Sequence, residues 1–198
     1  FVAPPRQLVY VESGCGAPLS VNMYQPVQNG SMTLGSPIGS LVLDRSLDLV
    51  VAGIAVNRRG EVFIANGDVG RYPPGATGST PPAAGFTLPP SWRDNNQPAT
   101  LVASGPIAAD SAGGVWVQAV QPFQAHNPTK MPQLLHYPPN ADEHAPPDHV
   151  VTGIDGAAPN FGTAWNNGIG VTGLAVDSHD NLYVVSLTQR TPPVQVFV

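Results

Sequence analysis

Three stretches of this 198-residue chain repeat one pattern: GIAVNRRGEVFIAN from Gly53, PIAADSAGGVWVQA from Pro106 and GLAVDSHDNLYVVS from Gly173. Each has a short apolar run with a central Ala, a polar turn, and then an alternating run centred on an aromatic residue. The start of the chain, FVAPPRQLVYVES, fits without a gap, placing Tyr10 on Phe63. The aromatic anchors are therefore Tyr10, Phe63, Trp116 and Tyr183, at spacings of 53, 53 and 67 residues. Self-similarity at such a period marks a repeat architecture, in which each unit buries its apolar surface against its neighbours.

The runs read as strands. Asn57 to Gly60, Asp110 to Gly114 and Asp177 to Asn181 are rich in residues that tolerate tight-turn backbone angles, which predicts a hairpin between the two runs. The second run alternates and is β-branched or aromatic, as in Glu61-Val62-Phe63-Ile64. A third run ends in an aromatic: SVNMYQP, VGRYPPG, LLHYPPN and VQVFV, with Tyr24, Tyr72, Tyr137 and Phe197 equivalent. A fourth precedes the next repeat: LDLVVAG, ATLVASG and HVVTG. This predicts an all-β chain with four-stranded antiparallel units, strands A to D, fifteen strands in all, the last unit lacking its outer strand. Seven Pro-Pro pairs fall almost wholly outside the A and B runs, where a residue without a backbone donor belongs, at strand ends and connectors.

Four-stranded blades repeated about an axis describe a β-propeller, and a small Ala in each A strand (Ala55, Ala108, Ala175) suits the crowded inner position. The unit GIAVN…EVFIAN…VGRYPPGATGSTPP…TLVASG resembles NHL-type propeller repeats, with their Gly-[Ile/Leu]-Ala core and Tyr-Pro-Pro-Gly connector. The resemblance implies one propeller domain or propeller segment over 1–198, with about four blades at about 1–52, 53–105, 106–172 and 173–198. A compact four-bladed ring, a piece of a larger protein and completion by another subunit all stay open. An unpaired final strand carrying Val194, Val196 and Val198 would be an exposed assembly edge. Family members include scaffolds, ligand binders and a minority of metal-dependent hydrolases and lyases, so the likeness speaks to architecture more than chemistry.

Composition narrows the function classes. One Lys (Lys130) and seven Arg make no basic field, which argues against a nucleic-acid partner. No apolar run approaches the length of a membrane span and no signal peptide is visible, so membrane insertion is not expected. Pro and Gly are abundant, at 23 and 21 residues, but 42% apolar content and a net charge of -5 favour a folded core over disorder. The acidic excess lies in residues 100–198, where seven acids meet Lys130 and Arg190. Low Lys and many neutral polar residues point to an extracellular or cell-surface location.

No nucleophile elbow, phosphate loop, His-Glu-x-x-His or Cys-x-x-Cys signature is present. Cys15, alone in the chain, reads as a loop thiol, with one half of an intermolecular disulfide and then a catalytic thiol as the lesser alternatives. The densest polar cluster is Asp142, Glu143, His144, Asp148 and His149, a donor set for a metal, although the Pro146-Pro147 step should aim its two ends apart. The family hydrolases place their cation on inner strands and top loops; the matching candidates would be Glu12, Asn66, Asp68 and Asp155, with Asp44, Asp110 and Asp177 a weaker set because the last two are explained as turn residues. The non-repeat loop with Phe161, Trp165, Asn166 and Asn167 offers aromatics beside amides, suited to a carbohydrate or protein ligand. Asn29 heads the only usable glycosylation sequon, which matters in a secreting eukaryote. The expectation is a non-catalytic, extracellular binding or structural module with no cofactor beyond at most a divalent cation, a protein or carbohydrate partner and self-assembly through open strands. The alternative is a divalent-metal hydrolase or lyase of the propeller class.

Overall fold

The computed structural model describes residues 9–13, 20–25, 36–43, 53–66, 68–86, 92–94, 97–99, 102–120, 133–142, 145–151, 171–186 and 194–197. These are all-β, in sixteen strands with no helix. Sheet I is β1 (Val9–Ser13), β2 (Ser20–Tyr24) and β3 (Gly39–Val42). Sheet II is β4 (Gly53–Val56), β5 (Val62–Asn66), β6 (Asp68–Tyr72) and β7 (Ala84–Phe86). A small hairpin, β8 (Trp92–Asp94) with β9 (Gln97–Ala99), follows. Sheet III is β10 (Val102–Ala109), β11 (Val115–Val120), β12 (Gln133–Tyr137) and β13 (His149–Val151). Sheet IV is β14 (Val171–Val176), β15 (Leu182–Ser186) and β16 (Val194–Phe197). All four sheets are antiparallel meanders in chain order.

The hairpin turns are built alike. Asn57, Asp110 and Asp177 each turn a side-chain oxygen back onto two amides of their own turn: Arg59 and Glu61, Gly113 and Gly114, His179 and Asn181. The fourth turn position has positive φ in each, at Gly60 (79°), Gly113 (98°) and Asp180 (65°). Short Asx side chains that bond their own backbone, followed by a left-handed residue, favour this turn before any tertiary contact forms. The Pro-Pro connectors also repeat: the Ala76 amide donates to the Pro73 carbonyl, and the Ala141 amide to that of Pro138.

Packing joins the sheets face to face in chain order. Because side chains alternate along a strand, each sheet has a face toward its predecessor and one toward its successor. Val62, Ile64 and Tyr72 pack back on Val21 and Leu41 of sheet I, while Phe63 and Ala65 pack forward on Ile107, Val115, Val117 and Tyr137 of sheet III. Trp116 and Leu134 pack forward on Leu182, Val184 and Phe197 of sheet IV. The aromatic anchors thus form two series. Tyr10, Phe63 and Trp116 look forward; Tyr72, Tyr137 and Phe197 look backward. The first strands of the later sheets lie side by side, β4 against β10 and β10 against β14. Polar links reinforce the joints: Gly78 exchanges backbone hydrogen bonds with Ser40 and Val42, and Arg71 Nη1 donates to the Pro139 carbonyl at 2.6 Å.

The A, B and C runs fall where the pattern puts them, with strand A of the first repeat outside the described residues. The D runs differ in two units. Sheet II closes on Ala84–Phe86, and ATLVASG instead leads into β10, which runs across the 105/106 repeat boundary with a register shift between Ala103 and Ile107. Sheet I closes on Gly39–Val42, while most of LDLVVAG lies outside the described residues. Outer strands pair on one edge, so cross-strand register outweighs the apolarity that made the longer runs look more strand-like.

Candidate functional site

One row of side chains crosses the forward face of sheet III. Trp116 on β11 is opposite His136 on β12, and His136 is opposite His149 on β13. Directly opposed residues project to the same side with Cβ atoms about 5 Å apart, so the three rings form a continuous strip. Trp116 lies 4.9 Å from His136 and 6.5 Å from His149 between centroids, and the two imidazoles are 5.7 Å apart. Asp110 enters from the β10–β11 turn and Asp148 from the residue before β13, whose amide donates to the His136 carbonyl at 3.0 Å.

His136 is buried, 8% exposed, with a carboxylate at each ring nitrogen. Nε2 is 2.7 Å from Asp110 Oδ2 and Nδ1 is 2.5 Å from Asp148 Oδ1. Asp110 is locked, because its Oδ1 accepts the Gly113 and Gly114 amides at 2.7 Å each. Gly114 makes the pocket: a Cβ there would lie 2.6 Å from His136 Nε2, 2.7 Å from Asp110 Oδ2 and 2.8 Å from the Tyr137 carbonyl. His149 and Asp148 are exposed, so the strip is walled on the protein side by Trp116 and His136 and open at the β13 edge. The donor atoms of His136, Asp148 and His149 lie within 4.8 Å of one another.

A second concavity, about 190 Å³, lies where the turns of sheets II, III and IV meet; Asn57, Arg58, Asp110, Ser111, Asp177 and Ser178 line it. Its acids are engaged in structure. Asn181, through its side-chain amide above all, with the His179 and Asn181 backbone amides and Tyr183, holds the Asp177 carboxyl down at about 2. Asp180 accepts the Ser111 hydroxyl at 2.5 Å and the Ser111 amide at 2.8 Å, which lower its carboxyl in turn. The hydrogen bond to Asp177 pushes the Tyr183 hydroxyl up.

The sequence-predicted candidates distribute unevenly. Asp148 and His149 enter the cluster, whereas Asp142 sits exposed in the turn after β12, outside it. Glu143, His144, Asp155, Phe161, Trp165, Asn166, Asn167, Asn29, Cys15, Asp44 and Val198 lie outside the described residues. Asn66 and Asp68 pair across the tight β5–β6 turn, and Glu12 lies in β1 opposite Val21. Val194 and Val196 lie on β16, with Val196 50% exposed. The sequence offers Asp110 as a turn residue and as one of a weaker cation set with Asp44 and Asp177, and does not offer His136 as a ligand. The signal that finds His136 is the antiparallel register between LLHY and HVV, which sets it opposite His149. No protein-family model matches the chain, and no curated protein matches it.

Proposed function

We propose that this chain is a β-propeller-type, non-catalytic, extracellular module that binds a second copy of itself head to tail. Four successive meanders packed face on face, with their first strands side by side, support the propeller reading. The observation that carries the assembly is the forward face of sheet IV. Tyr183 is the fourth forward-looking anchor, and Val185 and Val196 flank it at 36% and 50% exposed. The equivalent faces of sheets II and III are covered by the next sheet; this one, among the described residues, is not.

The face offered to it is the backward face of sheet I, where Tyr24 takes the place of Tyr72, Tyr137 and Phe197 and lies half-buried on the same side of β2 as Asn22. Contact between two different faces of one chain is heterologous, and joins copies into a ring or a filament. Among the described residues β16 is an edge strand, next to that face. The acids at the convergent turns hold those turns together, which leaves no pair of carboxylates there for general acid–base work.

Light scattering over a wide concentration range tests this. The unaltered chain should self-associate, while Val196→Lys and Tyr24→Lys should each give smaller species. Mixing the two variants leaves one sound face of each kind and should restore a dimer. A chain that stays monomeric at high concentration, or variants that fail to combine, would overturn the proposal.

A further inference from the structure

We infer that His136, Asp148 and His149 hold a divalent transition-metal ion of the zinc, nickel or copper type, with Asp110 positioning His136 from behind. This inference rests on the sheet III cluster and is independent of any assembly between copies.

Asp110 controls the tautomer of His136. A carboxylate only accepts hydrogen bonds, so Asp110 requires the hydrogen of His136 to sit on Nε2. Nδ1, 2.5 Å from Asp148 Oδ1, is then the nitrogen left to bind a metal. A carboxylate behind the far nitrogen of a ligating imidazole is the usual arrangement in metal sites, because it sets the ring's orientation and raises its basicity. Here the carboxylate is itself fixed by two backbone amides and the ring by Gly114 and Trp116, so the arrangement is rigid on its buried side.

Charge points the same way. Asp110 and Asp148 bring two carboxylates to one imidazole. A dication between Nδ1 and Asp148 balances both.

Geometry agrees once the exposed members adjust. Tetrahedral zinc with bonds of about 2.1 Å sets its ligand atoms about 3.4 Å apart. The three donor atoms lie within 4.8 Å of one another, with His136 Nδ1 and Asp148 Oδ1 at 2.5 Å. Admitting an ion asks Asp148 to draw back from Nδ1 by about 1 Å and His149 to close in, and both are exposed. Two imidazoles and one carboxylate suit zinc, nickel or copper rather than calcium or magnesium, which prefer oxygen throughout. Three protein ligands leave a fourth position at the open β13 edge for water or an exogenous group.

Zinc titration of the full chain by calorimetry, after treatment with a chelator, tests the site. One zinc per chain is expected, with calcium failing to compete. His149→Ala and Asp148→Ala should lose that binding, and metal-free His149→Ala should melt with the unaltered chain, since that position is exposed. Asp110→Asn should keep the stoichiometry and weaken affinity about 10–100-fold, as expected of a positioning residue. Copper should quench tryptophan emission, and Trp116→Phe should remove most of that quenching. Binding far below one equivalent, binding that survives both exposed-ligand substitutions, or equal binding of calcium would each overturn the assignment.

Discussion

Replacing Phe63 by Ala tests the face-to-face packing directly. Phe63 is 2% exposed and sits in the cluster that joins sheet II to Ile107, Val115, Val117, Leu135 and Tyr137 of sheet III. A buried Phe side chain removes about 150–250 Å² from water, which at about 25 cal/mol per Å² makes the transfer contribution about 4–6 kcal/mol. Phe-to-Ala changes in closed cores cost about 3–5 kcal/mol. Neighbours cannot collapse into the space, because Ala55, Ala65 and Ala108 are already small and held by strand pairing. For a domain of this size the cost lowers Tm by about 6–20 °C. The control is Val196→Ala on the open face of sheet IV, expected within about 0.5 kcal/mol in dilute solution. Tyr183→Ala, at the position equivalent to Phe63, should likewise change dilute-solution stability far less than Phe63→Ala while reducing self-association. Urea unfolding monitored by fluorescence and circular dichroism gives all three values. Equal losses for Phe63→Ala and Tyr183→Ala would refute the reasoning, since they would mean that both anchors are covered alike.

Other consequences are as specific. Gly114→Ala places a methyl against His136 and a main-chain carbonyl, so overpacking of about 1–3 kcal/mol adds to loss of the Asp110 hydrogen bond, about 1.5–3 kcal/mol; denaturant melts measure the sum, and the His136 ring resonances should shift. Gly75→Ala meets nothing within 4 Å, yet its φ of 74° makes it cost about 1–2 kcal/mol, so the two glycines matter for different reasons. The Asp177 carboxyl is held below its ordinary 3.8, so its contribution to the β14–β15 turn is in full force above that value and fades as pH falls through about 2. Amide exchange at His179 and Asn181 should quicken over that acid range, and Asp177→Asn should remove the pH dependence.

Much of the local structure was legible in the sequence because its causes are local. Asn57, Asp110 and Asp177 bond amides within four residues of themselves, so the turns could be read from residue type alone. The alternation in Val62-Phe63-Ile64-Ala65 gave two faces, and both proved buried because sheet II is packed on both sides. Outer strands were harder. Ala84-Gly85-Phe86 is short and embedded among prolines, yet it pairs with Arg71, Gly70 and Val69, a relation between distant positions that no window of sequence contains.

The candidate site shows the same division. Sequence by itself determined that Asp148 and His149 stand together, that aromatic anchors recur at a fixed spacing, and that the chain builds antiparallel hairpins. Tertiary structure alone decided that His136 faces His149, that Asp110 reaches Nε2 from another turn, that Asp142 stays outside, and that, among the described residues, the Tyr183 face has no sheet upon it. The reason is physical. Turn chemistry and side-chain alternation act over a few residues, whereas register and face-to-face packing depend on which strands close against which, and a shift of one residue would turn His136 to the opposite face of its sheet.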